Sequence, residues 1–168
     1  MRFFLRTVCS AYCALMRPLD GGIRSAPVVR TALDVGCGEG RSTIDLWKKH
    51  PDHVVLGIDR DATKIRRARM KYPNVLFRTA DLMDLTSGGF DIIQMRNVIH
   101  DVDDLEGAIA RISHLLRPNG LFILSEEDTR DVHTLSRYYR SCSTSMGWCR
   151  QCIINDDRAE FIFQKSWT

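Results

Sequence analysis

Short apolar runs and amphipathic stretches alternate along most of this chain. The runs TALDV (31–35), VVLGI (54–58), FDIIQM (90–95) and LFILSEE (121–127) are brief, aliphatic and closed by polar or glycine positions, which predicts buried strands. NVLFRTAD (74–81) predicts another, ending near Asp81. Between them the apolar spacing changes to that of a helix over 43–49, 62–71 and 105–116, and Pro73 closes the second of these. Past Asp128 the pattern loosens. Residues 132–145 keep helical character, while RQCIIN (150–155) and AEFIFQKSW (159–167), flanking Asp156-Asp157-Arg158, predict a hairpin. At the other end Phe4, Val8, Tyr12, Leu15 and Leu19 recur at helical spacing until Asp20-Gly21-Gly22 and Pro27 break it.

Alternating strands and helices imply a parallel sheet joined by right-handed crossovers, with helices on both faces. The expected class is therefore α/β: a Rossmann-like, doubly wound, mostly parallel seven-stranded sheet with a C-terminal antiparallel hairpin and an N-terminal cap helix. Residues 1–30 would form the cap helix and lead-in segment, and 31–168 the ligand-binding domain. In such sheets the ligand lies at the carboxyl ends of the strands. The polar features of interest fall there.

Composition narrows the partners. A chain of 168 residues suits one domain with a core that needs no staples. Its 24 basic and 21 acidic residues, net +3, are too balanced to argue for nucleic acid or an anionic membrane. No apolar stretch approaches the ~20 residues that span a bilayer, so a soluble protein without a membrane partner is expected. The densest basic run, residues 64–71, falls on a predicted helix with Ile65, Ala68 and Tyr72 on one side, which reads as a solvated face. Six scattered cysteines suit a reducing compartment. Cys149 and Cys152 have redox or metal spacing, but a zinc site would also need His133 and Cys142 to converge on them; no metal is expected, and the thiols read as buried or idle. Arg2, Arg6 and Arg17, with no acid among the first nineteen residues, give that segment the composition of a transit sequence. Its periodicity favours the cap helix, and a cytoplasmic location is expected, with a mitochondrial or nuclear one left open.

The stretch LDVGCGEG carries the first chemical signal. Gly36, Gly38 and Gly40 run as G-x-G-x-G, whereas the dinucleotide fingerprint spaces its glycines G-x-G-x-x-G. Glycines here permit a tight turn and a close approach of main chain to ligand. Asp34, beside the turn, would repel a pyrophosphate and welcome a cationic centre. Asp59 ends the second strand, where a carboxylate can accept ribose hydroxyls, and Asp81 ends the third, placed to accept from an adenine amino group. A nucleoside with a positively charged tail fits all three.

Taken in order, LDVGCGEG, GID, TADLMD, FDIIQMRNVIHDVDD and LLRPNGLFILSEED resemble the class I S-adenosylmethionine-dependent methyltransferases, over about residues 31 to 128. LDGGIRSAPV, STIDLWKKHPDHVVLGID and FDIIQMR are further similar to the fungal methyltransferases of secondary metabolism, including their global-regulator branch. The resemblance implies S-adenosyl-L-methionine as cofactor. It places Asp34, Gly36, Gly38 and Gly40 around the methionine part, Asp59 at the ribose, and Asp81 with Leu82 at the adenine. Cys37, within the turn, is counted with the cofactor-binding residues, as a small filler rather than a nucleophile. Arg60 would lie over the adenine or face solvent, and Arg96, with Asn97, begins a loop that could touch cofactor or acceptor.

Methyl transfer from a sulfonium is an in-line displacement in which the protein aligns the partners and excludes water, and an oxygen acceptor must also lose its proton. His100, in NVIHDVDD, resembles the catalytic histidine of small-molecule O-methyltransferases and would serve as general base; the alternative is a histidine that orders its loop. Glu126, Glu127 and Asp128 read as a solvated rim. The expected function is methyl transfer to a small molecule, on oxygen, in secondary metabolism. The alternative is a catalytically weak, cofactor-binding regulator or scaffold of the same fold. With about 40 residues after Asp128, the acceptor pocket would be shallow, or completed by a homodimer or another protein partner.

Overall fold

The computed structural model describes residues 29–127, 132–146, 149–154 and 158–166. The expected cap helix lies outside them. The strands are β1 (Arg30–Val35), β2 (His53–Asp59), β3 (Leu76–Thr79), β4 (Phe90–Arg96), β5 (Leu116–Glu126), β6 (Cys149–Ile154) and β7 (Ala159–Gln164). The helices are α1 (Arg41–Lys49), α2 (Ala62–Lys71), α3 (Leu105–Leu115) and α4 (Val132–Met146), with single 3-10 turns at Leu82–Asp84 and Ile99–Asp101. One seven-stranded sheet runs β3-β2-β1-β4-β5-β7-β6. β1 pairs in parallel with both β2 and β4, and β7 lies antiparallel between β5 and β6. This is the expected mostly parallel sheet with its terminal hairpin.

The order reverses at β1 and β4, so the loops leaving these neighbours diverge and open a crevice above their carboxyl ends. On one sheet face Leu33, Ile93, Phe122 and Phe163 pack against Ile109 and Ile112 of α3 and Cys142 of α4. Each such fully buried aliphatic side chain contributes about 1.5–3 kcal/mol. On the other face Leu46 of α1 covers Ala32, Val55 and Ile92, while Ile65 and Ala68 of α2 pack with Val75 and Phe77. Lys64, Arg66 and Arg67 remain exposed, so the basic run is the solvated face of α2.

β5 departs from expectation at its start. The sequence pattern starts this strand at Leu121, yet Leu116 already pairs with Phe90, and regular register resumes at Ile92 with Leu121 after an irregularity. Asn119 absorbs the bend at φ 63. The helix therefore passes directly into the strand.

Candidate active site

The three glycines after β1 all have positive φ, 70 for Gly36, 53 for Gly38 and 90 for Gly40, but each for a different reason. A Cβ on Gly36 would lie 2.5 Å from a Val98 methyl, so this glycine lets the loop after β4 close over the turn. Gly38 has nothing within 4 Å of that position and faces open space. Gly40 caps α1 and backs onto the Phe77 ring, 2.7 Å from where a Cβ would stand. Gly36 and Gly38 line a cleft of about 450 Å³; Gly40 is absent from its walls. Its role is packing, which corrects its expected place around a ligand.

Asp59, Arg60, Asp81 and Leu82 also line this cleft. Asp59 Oδ2 accepts from Gly38 N at 2.8 Å and Oδ1 from Asp61 N at 2.8 Å. It thereby fixes the glycine turn, and each oxygen keeps a lone pair for a further donor. Asp81 caps the next 3-10 turn through Met83 N, and Arg60 Nη1 stands 3.8 Å from its other oxygen. Arg60 and Asp81 thus face one another across the cleft mouth.

Asp34 lies elsewhere. Its side chain is wholly buried behind the turn, where it accepts from Ser42 Oγ (2.7 Å), Thr43 Oγ1 (2.6 Å) and Gln94 Nε2 (3.1 Å). Burial pushes its carboxyl above the ordinary range, and the Thr43, Ser42 and Gln94 bonds offset part of that. The expectation that Asp34 would meet a cationic ligand is corrected: it ties β1, α1 and β4 together and supports the turn from behind. Cys37 is likewise no cleft residue. It is buried with Ile65 and Phe77, and burial, with the charges of Asp34 and Asp59, pushes its thiol up to about 12. Arg96 is held at the end of β4 by Asp45 (3.2 Å) and Glu127 (3.5 Å), off the cleft wall.

The loop after β4 turns on Asn97, at φ 54, whose Oδ1 accepts from Glu127 N. His100 follows in a 3-10 turn. Its Nδ1 lies 2.9 Å from Glu126 Oε2, while Glu126 Oε1 accepts from Val98 N and Ile99 N. Glu126 is 4% exposed, so the reading of it as solvated rim was wrong. The signal was available in principle: a carboxylate ending the strand beside the one that carries the histidine loop. Asn97, Val98 and Asp101 line the cleft, while His100 lies between them in sequence but is not one of its walls; its Nε2 is 3.7 Å from Asp101 Oδ1.

The profile of the methyltransferase domain matches residues 30–165. The chain belongs to that family. A trans-aconitate 2-methyltransferase of Deinococcus radiodurans is 30% identical over 122 residues, covering 72% of this chain and 46% of the relative. The methyltransferase domain described here thus spans about half the length of the curated relatives it matches. Among solved structures, a TehB-like SAM-dependent methyltransferase from Corynebacterium glutamicum superposes with TM-score 0.69 at 20% identity, covering 98% of this chain and 95% of that one. An S-adenosyl-L-methionine-dependent methyltransferase structure from Methanococcus maripaludis gives 0.70 at 15% identity over 84% and 80%. These likenesses show the fold. Both of these neighbours are proteins that depend on S-adenosylmethionine. The cleft suits it: Gly38 leaves a bare backbone facing open space, and Asp59 and Asp81 offer lone pairs along one wall.

Among the described residues, no helix is long and apolar enough to cross a membrane and no group of three or more His, Cys, Asp or Glu side chains is placed to hold a metal ion.

Proposed function

We propose that this methyltransferase acts on a small molecule through an oxygen acceptor, with His100 as general base. The observation that carries the reading is the Glu126–His100 pair: a buried carboxylate 2.9 Å from Nδ1 orients the imidazole, and Nε2, 3.7 Å from Asp101 Oδ1, would be the atom that takes a proton. S-adenosylmethionine supplies a methyl group already activated by its sulfonium. The chain's task is then to bind, orient and take up the acceptor proton. Gly36 and Gly38 would present backbone to the cofactor, Asp59 would accept its ribose hydroxyls, Asp81 with Leu82 would border the adenine, and Arg60 would cover that end. The name of the Deinococcus relative favours a small acceptor, and a role in secondary metabolism is supported by the resemblance of LDGGIRSAPV and FDIIQMR to fungal methyltransferases alone.

A second reading, a cofactor-binding scaffold with weak transfer, draws on the exposure of the His100 side chain, 53%. Displacement at a sulfonium needs water excluded. A homodimer or protein partner would complete that wall. Transfer of radiolabelled methyl to a panel of hydroxyl, carboxyl and amine acceptors tests both readings. Transfer to an oxygen that falls about 10²- to 10⁴-fold in His100→Gln, with cofactor affinity kept, supports the base. Equal rates in the two proteins, or tight cofactor binding with no transfer to any acceptor, overturn it.

A further inference from the structure

β6 is the outermost strand of the sheet and carries Cys149 and Cys152, neither in a disulfide. In a regular strand, residues three apart point to opposite faces and stand about 10 Å apart, too far for a disulfide. β6 is not regular. Cys149 pairs with Phe163 and Gln151 with Ile162, so one extra residue is taken up between them. Cys152 then pairs with Phe161. Directly paired residues of an antiparallel ladder share a face, and Phe161 and Phe163 lie on one face two positions apart. The bulge therefore turns both thiols to the same side of the hairpin, at a spacing of roughly 7 Å or less along the strand.

The side chains narrow the gap further. Cys149 Sγ donates to Gln151 O at 3.2 Å, and that carbonyl belongs to the peptide bond joining Gln151 to Cys152. Cys149 thus leans along its strand toward Cys152. Cys152 is exposed and Cys149 half-buried against the core, so one thiol meets solvent while the other waits behind it. Cys142, on α4, is fully buried on the same side, and burial with the neighbouring Cys149 pushes it up to about 12.

We propose that Cys149 and Cys152 form a reversible dithiol–disulfide site, oxidised by small disulfides of the glutathione class. The Cys152 thiolate attacks one sulfur of the small disulfide, forming a mixed disulfide and releasing one small thiolate. The Cys149 thiolate then attacks the Cys152 sulfur, closing the protein disulfide and releasing the second. The two protons lost by the protein thiols end on the two released thiols. Burial and Cys149 both raise the Cys152 pKa, so the first step speeds up as pH rises. The ring encloses only Arg150 and Gln151, and so short a closure adds little stability; the bond is a modification, not a staple.

The test uses the full chain, equilibrated with graded mixtures of reduced and oxidised glutathione, alkylated and cleaved with trypsin. Cleavage after Arg140, Arg150 and Arg158 places Cys142 and Cys149 on one peptide and Cys152 on the next. The expected product is these two peptides joined with loss of two hydrogens, reversed by excess reduced glutathione and unchanged in Cys142→Ser. In Cys149→Ser a glutathione adduct should persist on Cys152. A wild-type chain that keeps the same adduct on Cys152 without closing, or that closes Cys142 to Cys149 instead, overturns the proposal.

Discussion

Glu126 of β5 holds His100 of the neighbouring loop through an Nδ1 to Oε2 contact of 2.9 Å, and its other oxygen accepts from Val98 N and Ile99 N. One buried carboxylate therefore sets both the backbone of the loop and the orientation of its imidazole. Glu126→Gln keeps the shape but loses the charge. With an acceptor in hand, it should lower kcat about 10- to 100-fold with little change in KM, while His100→Gln lowers it further and the double variant adds little more. A pH profile checks the coupling: the wild-type rate should rise as an imidazole loses its proton, and that limb should vanish in His100→Gln. Additive effects of the two substitutions would show that they act separately.

Two glycine substitutions should part structure from binding. Gly36→Ala meets Val98 at 2.5 Å as well as a positive φ, so it should lower stability by about 1–3 kcal/mol and weaken the cofactor site together. Gly38→Ala bears the φ strain alone and projects its methyl into the open cleft. Calorimetric titration with S-adenosylmethionine should show at least a tenfold loss for Gly38→Ala, with a melting temperature changed far less than in Gly36→Ala.

Asp59 serves the turn and faces the cleft. Asp59→Ala should weaken cofactor binding by about 1.5–3 kcal/mol, roughly ten- to hundredfold. It should also cost about 1 kcal/mol of stability, because Gly38 N and Asp61 N lose their acceptor. Asp59→Asn keeps an acceptor and should fall between the two. Titration calorimetry with denaturant unfolding separates the two losses.

Asp34 predicts a pH effect of defined sign. Its folded pKa is raised, so between the ordinary carboxylate range and the raised value the folded chain holds a proton that the unfolded chain has released. Its contribution to stability is therefore present at low pH and lost as pH rises through that window. Asp34→Asn should remove this slope, seen as a difference between urea unfolding curves of the two proteins at successive pH values. Asp34→Ala, which leaves the Ser42, Thr43 and Gln94 donors unpaired, should cost about 3 kcal/mol or more at any pH.

The alternation of apolar runs determined the element types, their order and the parallel sheet, because burial on both faces leaves a continuous apolar signature and each crossover a helical one. Asp59 and Asp81 were legible as wall residues, since a strand followed by a helix puts its terminal side chain at the ligand edge. Local pattern could not say which way a side chain faces once several elements meet. Asp34 and Glu126 are both acids at the carboxyl ends of strands, and sequence reading put the first in the site and the second in solvent. Packing of α1 and β4 turned Asp34 inward to three donors, while the adjacency of β4 and β5 turned Glu126 beneath His100. The bulge in β6 belongs to the same class. Nothing in CRQC marks it, because the extra residue is specified by the pairing with β7 and not by β6 alone.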